Sequence, residues 1–195
     1  MTDVTALEGD IGKELRAGMN GILSARMREA GMPFRLIFGV ELPRLRGIAD
    51  GFPRDPRLAA RLWSRSCREA RLLAIMLMPS DALTRETANA WVRSMLTAEE
   101  AQVAAQLLLS RTPFGAQASL EWLEGDGGLP AVLACLCLRH ILVRGGVLGD
   151  GERRLIEERT AELLPAADLH LRKAILALTD ALPTVHSSQF IVHDS

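Results

Sequence analysis

The chain has no tyrosine at all, and its 195 residues hold three cysteines, three tryptophans and five phenylalanines. Each shortage excludes something. Three cysteines (Cys67, Cys135, Cys137) cannot form the paired framework that staples small secreted domains, and a chain of this length buries a core without one. Cys135 and Cys137 stand two apart in a helical pattern, roughly 200° around the axis, so they do not converge on one metal. They read as small buried apolar residues. His140, His170, His186 and His193 lack HExxH or comparable ligand spacing. No glycine-rich loop follows a strand and opens a helix, which removes a nucleotide cradle. "GDGG" and "GGVLGDGE" read as turns instead. No metal and no cofactor are expected, and Glu99–Glu100 and Glu157–Glu158 read as helix-surface charge. The most apolar window, "LPAVLACLCLRHILV", is shorter than the roughly 18 residues of a membrane span and carries Arg139 and His140, so it reads as a core helix. No basic-then-apolar leader opens the chain, and a cytoplasmic location off the membrane is expected.

What is present is an ordinary globular balance, 48% apolar and 24% charged residues with a formal net charge of −1. The charge is unevenly spread. Residues 26–71 hold eleven arginines against five acids, an excess of six positive charges, whereas residues 79–195 hold ten basic against fifteen acidic residues. A basic patch of that kind attracts phosphate, and scattered arginines also serve as plain solvated surface.

Strand-like alternation is scarce and Ala, Leu, Arg and Glu dominate, which favours helix. Trp63, Trp91 and Trp122 recur at spacings of 28 and 31. Each closes an amphipathic stretch and is followed by a polar break and a second, more apolar stretch. Four of those second stretches carry one apolar stripe at i, i+3, i+4, i+7: Ala70, Leu73, Ala74, Leu77; Ala101, Ala104, Ala105, Leu108; Ala131, Ala134, Cys135, Leu138; and Leu171, Ala174, Ile175, Leu178. Ser66 with Glu69, and Thr97 with Glu100, have capping-box spacing, and Pro130 suits the first turn of a helix. Pro79, Pro113 and Pro183 mark the far ends of second helices. These signals predict an all-α, HEAT-like helical-repeat solenoid of four helix pairs, near 54–79, 81–112, 114–144 and 150–182. They place it in one domain over 1–183, with a cap over 1–50 that includes a helix near 10–30, repeats over 54–183, and a loose tail over 184–195.

The recurrence of the tryptophans is what core packing requires. Arg65, Arg68 and Arg71 sit just before or within the first turn of a helix, where the dipole disfavours cations unless an acid or a bound anion is near. Two readings stand: internal ion pairs, with Glu69 as one countercharge, or a ligand-facing role.

"FGVELPRLRGIA" leading into "LWSRSCREARLLAIMLMP", followed by further Trp-bearing helix pairs, resembles the DNA alkylation repair family of the AlkD-like, HEAT-like-repeat type, over about Phe34 to Leu182. The resemblance implies a basic concave groove that grips the DNA backbone and, in the active enzymes, excision of alkylated bases. It also implies a Trp-Trp-Asp stretch with a further catalytic Asp at the start of the third repeat. In "SRTPFGAQASLEW" the matching positions are Pro113, Phe114, Gly115 and Ala118, and the active-site Arg falls near Val132. Ala118 cannot stabilise a developing oxocarbenium ion, and no carboxylate lies between Glu100 and Glu121. No catalytic residue is therefore assigned.

The reading is a divergent member that binds duplex DNA through backbone phosphates, with Arg65, Arg68, Arg71, Arg111 and Arg139 as contacts and Phe114 as a stacking residue. Two alternatives remain open: a protein-binding scaffold, including a head-to-tail homodimer of basic and acidic halves, and a glycosylase with rearranged catalytic residues. A continuous positive trough favours DNA; a mixed or apolar one favours protein.

Overall fold

In a computed structural model, residues 3–182 are described, and Pro183 and the expected tail over 184–195 lie outside them. All the named elements are helical. The helix expected near 10–30 is two helices, α1 (Val4–Ala17) and α2 (Gly21–Glu29). The break falls at Gly18–Asn20 because the Asn20 side chain accepts from Leu23 N–H and starts a new helix. A third, α3 (Leu42–Asp50), follows an extended segment and has proline at its second position.

Four pairs then follow: α4 (Pro56–Trp63) with α5 (Arg68–Leu77), α6 (Arg85–Arg93) with α7 (Ala98–Leu107), α8 (Gly115–Leu123) with α9 (Gly128–Val143), and α10 (Asp150–Leu163) with α11 (Leu169–Thr179). Helix α5 packs between α3 and α7, and α9 between α7 and α11, giving an inner row of α3, α5, α7, α9 and α11. The first helices of the pairs form the outer row, with α1 laid on α4. The fold is thus the expected all-α solenoid. Every residue of the four apolar stripes is buried, none more than 5% exposed. Their alanines bring the inner helices together, and the stacked hairpins share one core.

Caps agree with the sequence in one place and depart in another. Thr97 and Glu100 form the expected capping box of α7, and Pro130 lies in the first turn of α9. Ser66 and Glu69 do not form one: the cap of α5 is Cys67, with no side-chain bond. Ser66 Oγ instead accepts from Arg35 N–H. The Glu69 carboxylate, fully buried, accepts from the backbone amides of Phe38, Gly39 and Val40. It clamps the extended segment onto the first repeat, where Leu36 and Cys67 form an isolated parallel bridge. Gly39 has φ +76°, and any side chain there would press on the Asn20 carbonyl.

Candidate functional site

Two arginines of the first repeat, Arg68 and Arg71, point inward. Trp63 and Trp91 stack with centroids 4.4 Å apart and planes 8° from parallel, and the Arg71 guanidinium lies 3.8 Å over the Trp63 ring. Arg71 also donates to Glu100 at 2.5 Å, to the Ser94 carbonyl and to the Trp63 carbonyl. Arg68 donates to both oxygens of Glu99, to Glu69 and to the Val40 carbonyl. Their side chains are 9% and 3% exposed. Arg68 and Arg71 are therefore corrected from phosphate contacts to staples between the first two repeats, since every guanidinium edge already has an acceptor. Glu99 and Glu100 are corrected likewise. They are the other half of those staples, not surface charge, and Glu100 also accepts from Leu96 and Thr97 N–H. Arg65 remains exposed but is shared with Arg61 on Glu8 of α1. Burial raises the Glu8 pKa, and the hydrogen bonds and charges of those two arginines outweigh it, leaving the carboxyl below its ordinary value.

The inner row encloses a trough whose two halves differ in chemistry. In the first, a depression of about 220 Å³ crosses α3, α5 and α7 where their C-terminal ends meet, floored by Ala49, Met76 and Leu107. Arg46, Arg54 and Arg111 surround it, with Asp50 as the acid in the lining. All three arginines are exposed, and among the described residues none forms an ion pair. The positive rim continues to the end of α9. Burial, and then the charges of Arg139, Arg144 and Arg111, push His140 below its ordinary pKa, so the imidazole is neutral at pH 7 amid cations. Arg144 reaches the Ser110 carbonyl in the 3₁₀ turn Leu109–Arg111. Helix C-termini carry partial negative charge, which lets several cations gather there.

In the second half, a depression of about 220 Å³ crosses α7, α9 and α11 and is lined by Ala98, Val132, Leu136, Ala174 and Ala177, with Gln102, His170 and Lys173 as its polar side chains. Val132, the position matched to the family's active-site Arg, opens onto this apolar stretch. Ala118 is wholly buried in α8. At Gly115, matched to the first Asp, any side chain would strike the Leu109 carbonyl. Phe114 caps α8, half-buried against the core. The three cysteines are free and buried, and burial pushes Cys67 and Cys137 to about 11 and Cys135 to about 12. Among the described residues, no group of three or more His, Cys, Asp or Glu side chains is placed to hold a metal, and no helix is long and apolar enough to cross a membrane.

Of the six residues expected to meet nucleic acid, Arg111 lines the basic depression, and Arg139 shares with it the field that acts on His140. Arg46, Arg54, Arg144 and Lys173 were not singled out from sequence. A usable signal existed for one of them: Arg144 caps the C-terminal end of α9, where the helix dipole favours a cation.

The family model described as DNA alkylation repair enzyme matches residues 11–175, from α1 to within α11. The chain belongs to the DNA alkylation repair family. A search of curated proteins finds no match for it. A solved structure, described as "a new family of proteins related to the HEAT-like repeat DNA glycosylases with affinity for branched DNA structures", superposes with a TM-score of 0.72 at 15% sequence identity. It covers 89% of this chain and 74% of the other. At that identity the likeness establishes the HEAT-like-repeat fold.

Proposed function

We propose that this member of the alkylation repair family binds DNA through backbone phosphates at the basic rim of the trough and does not excise bases. The observation that carries the reading is the exposed, unpaired set Arg46, Arg54 and Arg111 around one depression, continued by Arg139 and Arg144. Guanidinium groups in this arrangement reach successive phosphates and read no sequence. Phe114, half-buried, offers a limited stacking edge, and Arg65 lies apart on Glu8. The solved relative is described as having affinity for branched DNA, which makes a junction the second substrate to try beside a plain duplex.

Fluorescence anisotropy with labelled duplex and four-way-junction DNA at two salt concentrations tests the proposal. Binding should weaken as salt rises. The triple variant Arg46→Glu/Arg54→Glu/Arg111→Glu should lower the slope of log K against log salt by about 2 to 3, close to one unit per lost phosphate contact. Absence of binding by the intact protein at low salt sinks the reading. Incubation with methylated DNA should release no free base.

A second reading, a protein-binding scaffold, draws on the second half of the trough. Its small apolar side chains and single Lys173 suit an apolar helix better than a phosphate backbone. A protein that ignores both DNAs at low salt favours it.

A further inference from the structure

Away from the trough, α1, α4, the start of α5 and the extended segment before α3 border an open pocket of about 410 Å³, within the usual size of small-molecule sites. Its floor is apolar. Ile11, Leu15, Leu62, Cys67 and Ala70 line it, each no more than 6% exposed. Leu36, 44% exposed, and half-buried Phe38 add an apolar wall. The wall from α1 runs from Glu8 to Arg16, about 12 Å of helix at 1.5 Å per residue, so the space is elongated along that helix.

Its charged lining is uneven. Arg16, Arg35 and Arg65 line it against one acid, Glu8, and Glu8 is already taken by Arg61 and Arg65. Arg16 and Arg35 are exposed and, among the described residues, form no ion pair. The hydroxyl in the lining, on Ser66, accepts from the Arg35 amide. An apolar floor with so little hydrogen-bonding capacity cannot read a nucleobase, whereas it accepts an aliphatic chain without leaving polar groups unpaired.

We propose that this pocket binds a small amphipathic anion, a medium-chain carboxylate, with its chain along the floor and its carboxylate held by Arg16 and Arg35. The site is independent of the trough, and DNA binding need not change with it. Charge-assisted pairing fixes the head, and burial of the chain supplies most of the affinity.

Decanoate, kept below its micelle concentration, is the probe, with 1-decanol and decyltrimethylammonium as neutral and cationic twins, in isothermal titration calorimetry. Decanoate should bind one-to-one and saturably. The variant Arg16→Glu/Arg35→Glu, whose two positions are exposed and unpaired so that the fold is kept, should bind it roughly tenfold or more weakly, the loss of one or two charge-assisted hydrogen bonds. Cys67 provides a local readout. Decanoate should slow its alkylation by a neutral reagent in the intact protein. Lack of saturable binding, equal affinity for the cationic twin, undiminished binding in the charge-reversed variant, or unprotected Cys67 each overturns the proposal. So does recruitment to anionic phospholipid vesicles in place of decanoate binding, since that would make the arginines a surface patch.

Discussion

The seam between α5 and α7 is held by charge, whereas the seams on either side of α9 are held by hydrocarbon. In the first, Arg68 and Arg71 reach Glu99 and Glu100 across an offset of 31 and 29 residues, and Arg71 also covers the Trp63 face of a tryptophan stack. In the second, α9 buries Ala131, Val132, Leu133, Ala134, Cys135, Cys137 and Leu138 and no charged group. Both join an inner helix to its neighbour, but they specify it differently. Buried guanidinium–carboxylate pairs tolerate one register, and their desolvation cost can exceed the Coulombic gain. Small apolar stripes are cheaper and permit close approach, and their register rests on shape alone. The contrast also bears on the surface. Five of the eleven arginines in 26–71 (Arg57, Arg61, Arg65, Arg68, Arg71) are tied in ion pairs, so the excess of positive charge in sequence overstates what a ligand meets.

The largest effect should come from breaking the charged seam on one side only. Arg71→Met leaves Glu100 buried with no countercharge and should cost about 3–5 kcal/mol in urea unfolding at pH 7. Adding Glu100→Gln to the same chain should recover part of that loss, because the stranded charge is gone. The apolar seam has its own counterpart. Leu133→Ala in α9, at a fully buried position, should cost about 3 kcal/mol from lost transfer energy and the cavity left behind. If Arg71→Met proves milder than Leu133→Ala, the charged seam is ornament and the comparison fails. Thr97→Ala removes one half of the α7 capping box and should cost about 1 kcal/mol, while leaving the two staples in place.

The same contrast explains what could be read from the sequence. The apolar stripes were legible because helical periodicity survives in one dimension, and all sixteen positions are buried. Trp63 and Trp91 were legible as packing because they recur. Glu99 and Glu100 were not. Two adjacent acids at a helix start look like surface charge until the helix that brings Arg68 and Arg71 to them is in place. The same holds for Glu69, whose spacing from Ser66 promises a cap while its partners are three amides some thirty residues earlier. The rim of Arg46, Arg54 and Arg111 also depends on stacking, since no local pattern links α3 and the loop after it to the 3₁₀ turn that follows α7.

The smallest expected effect probes the place where the two halves meet. His140 sits on apolar α9 yet feels the rim, and burial together with Arg139, Arg144 and Arg111 lowers its pKa below 6.5. As pH falls through 6.5, the unfolded chain takes up a proton that the folded chain resists, so the unfolded state binds more protons and stability declines. The decline continues until pH passes below the depressed folded value and both states are protonated. His140→Gln should flatten stability against pH in that window, with little change above pH 7.5. An anion seated on the rim neutralises the field that opposes the proton. Adding DNA should therefore raise the His140 pKa, read from its imidazole shifts by NMR, in the intact protein and not in Arg46→Glu/Arg54→Glu/Arg111→Glu. A titration that stays put on saturation with DNA would mean the phosphates lie elsewhere, and the basic half of the trough would lose its claim as the contact surface.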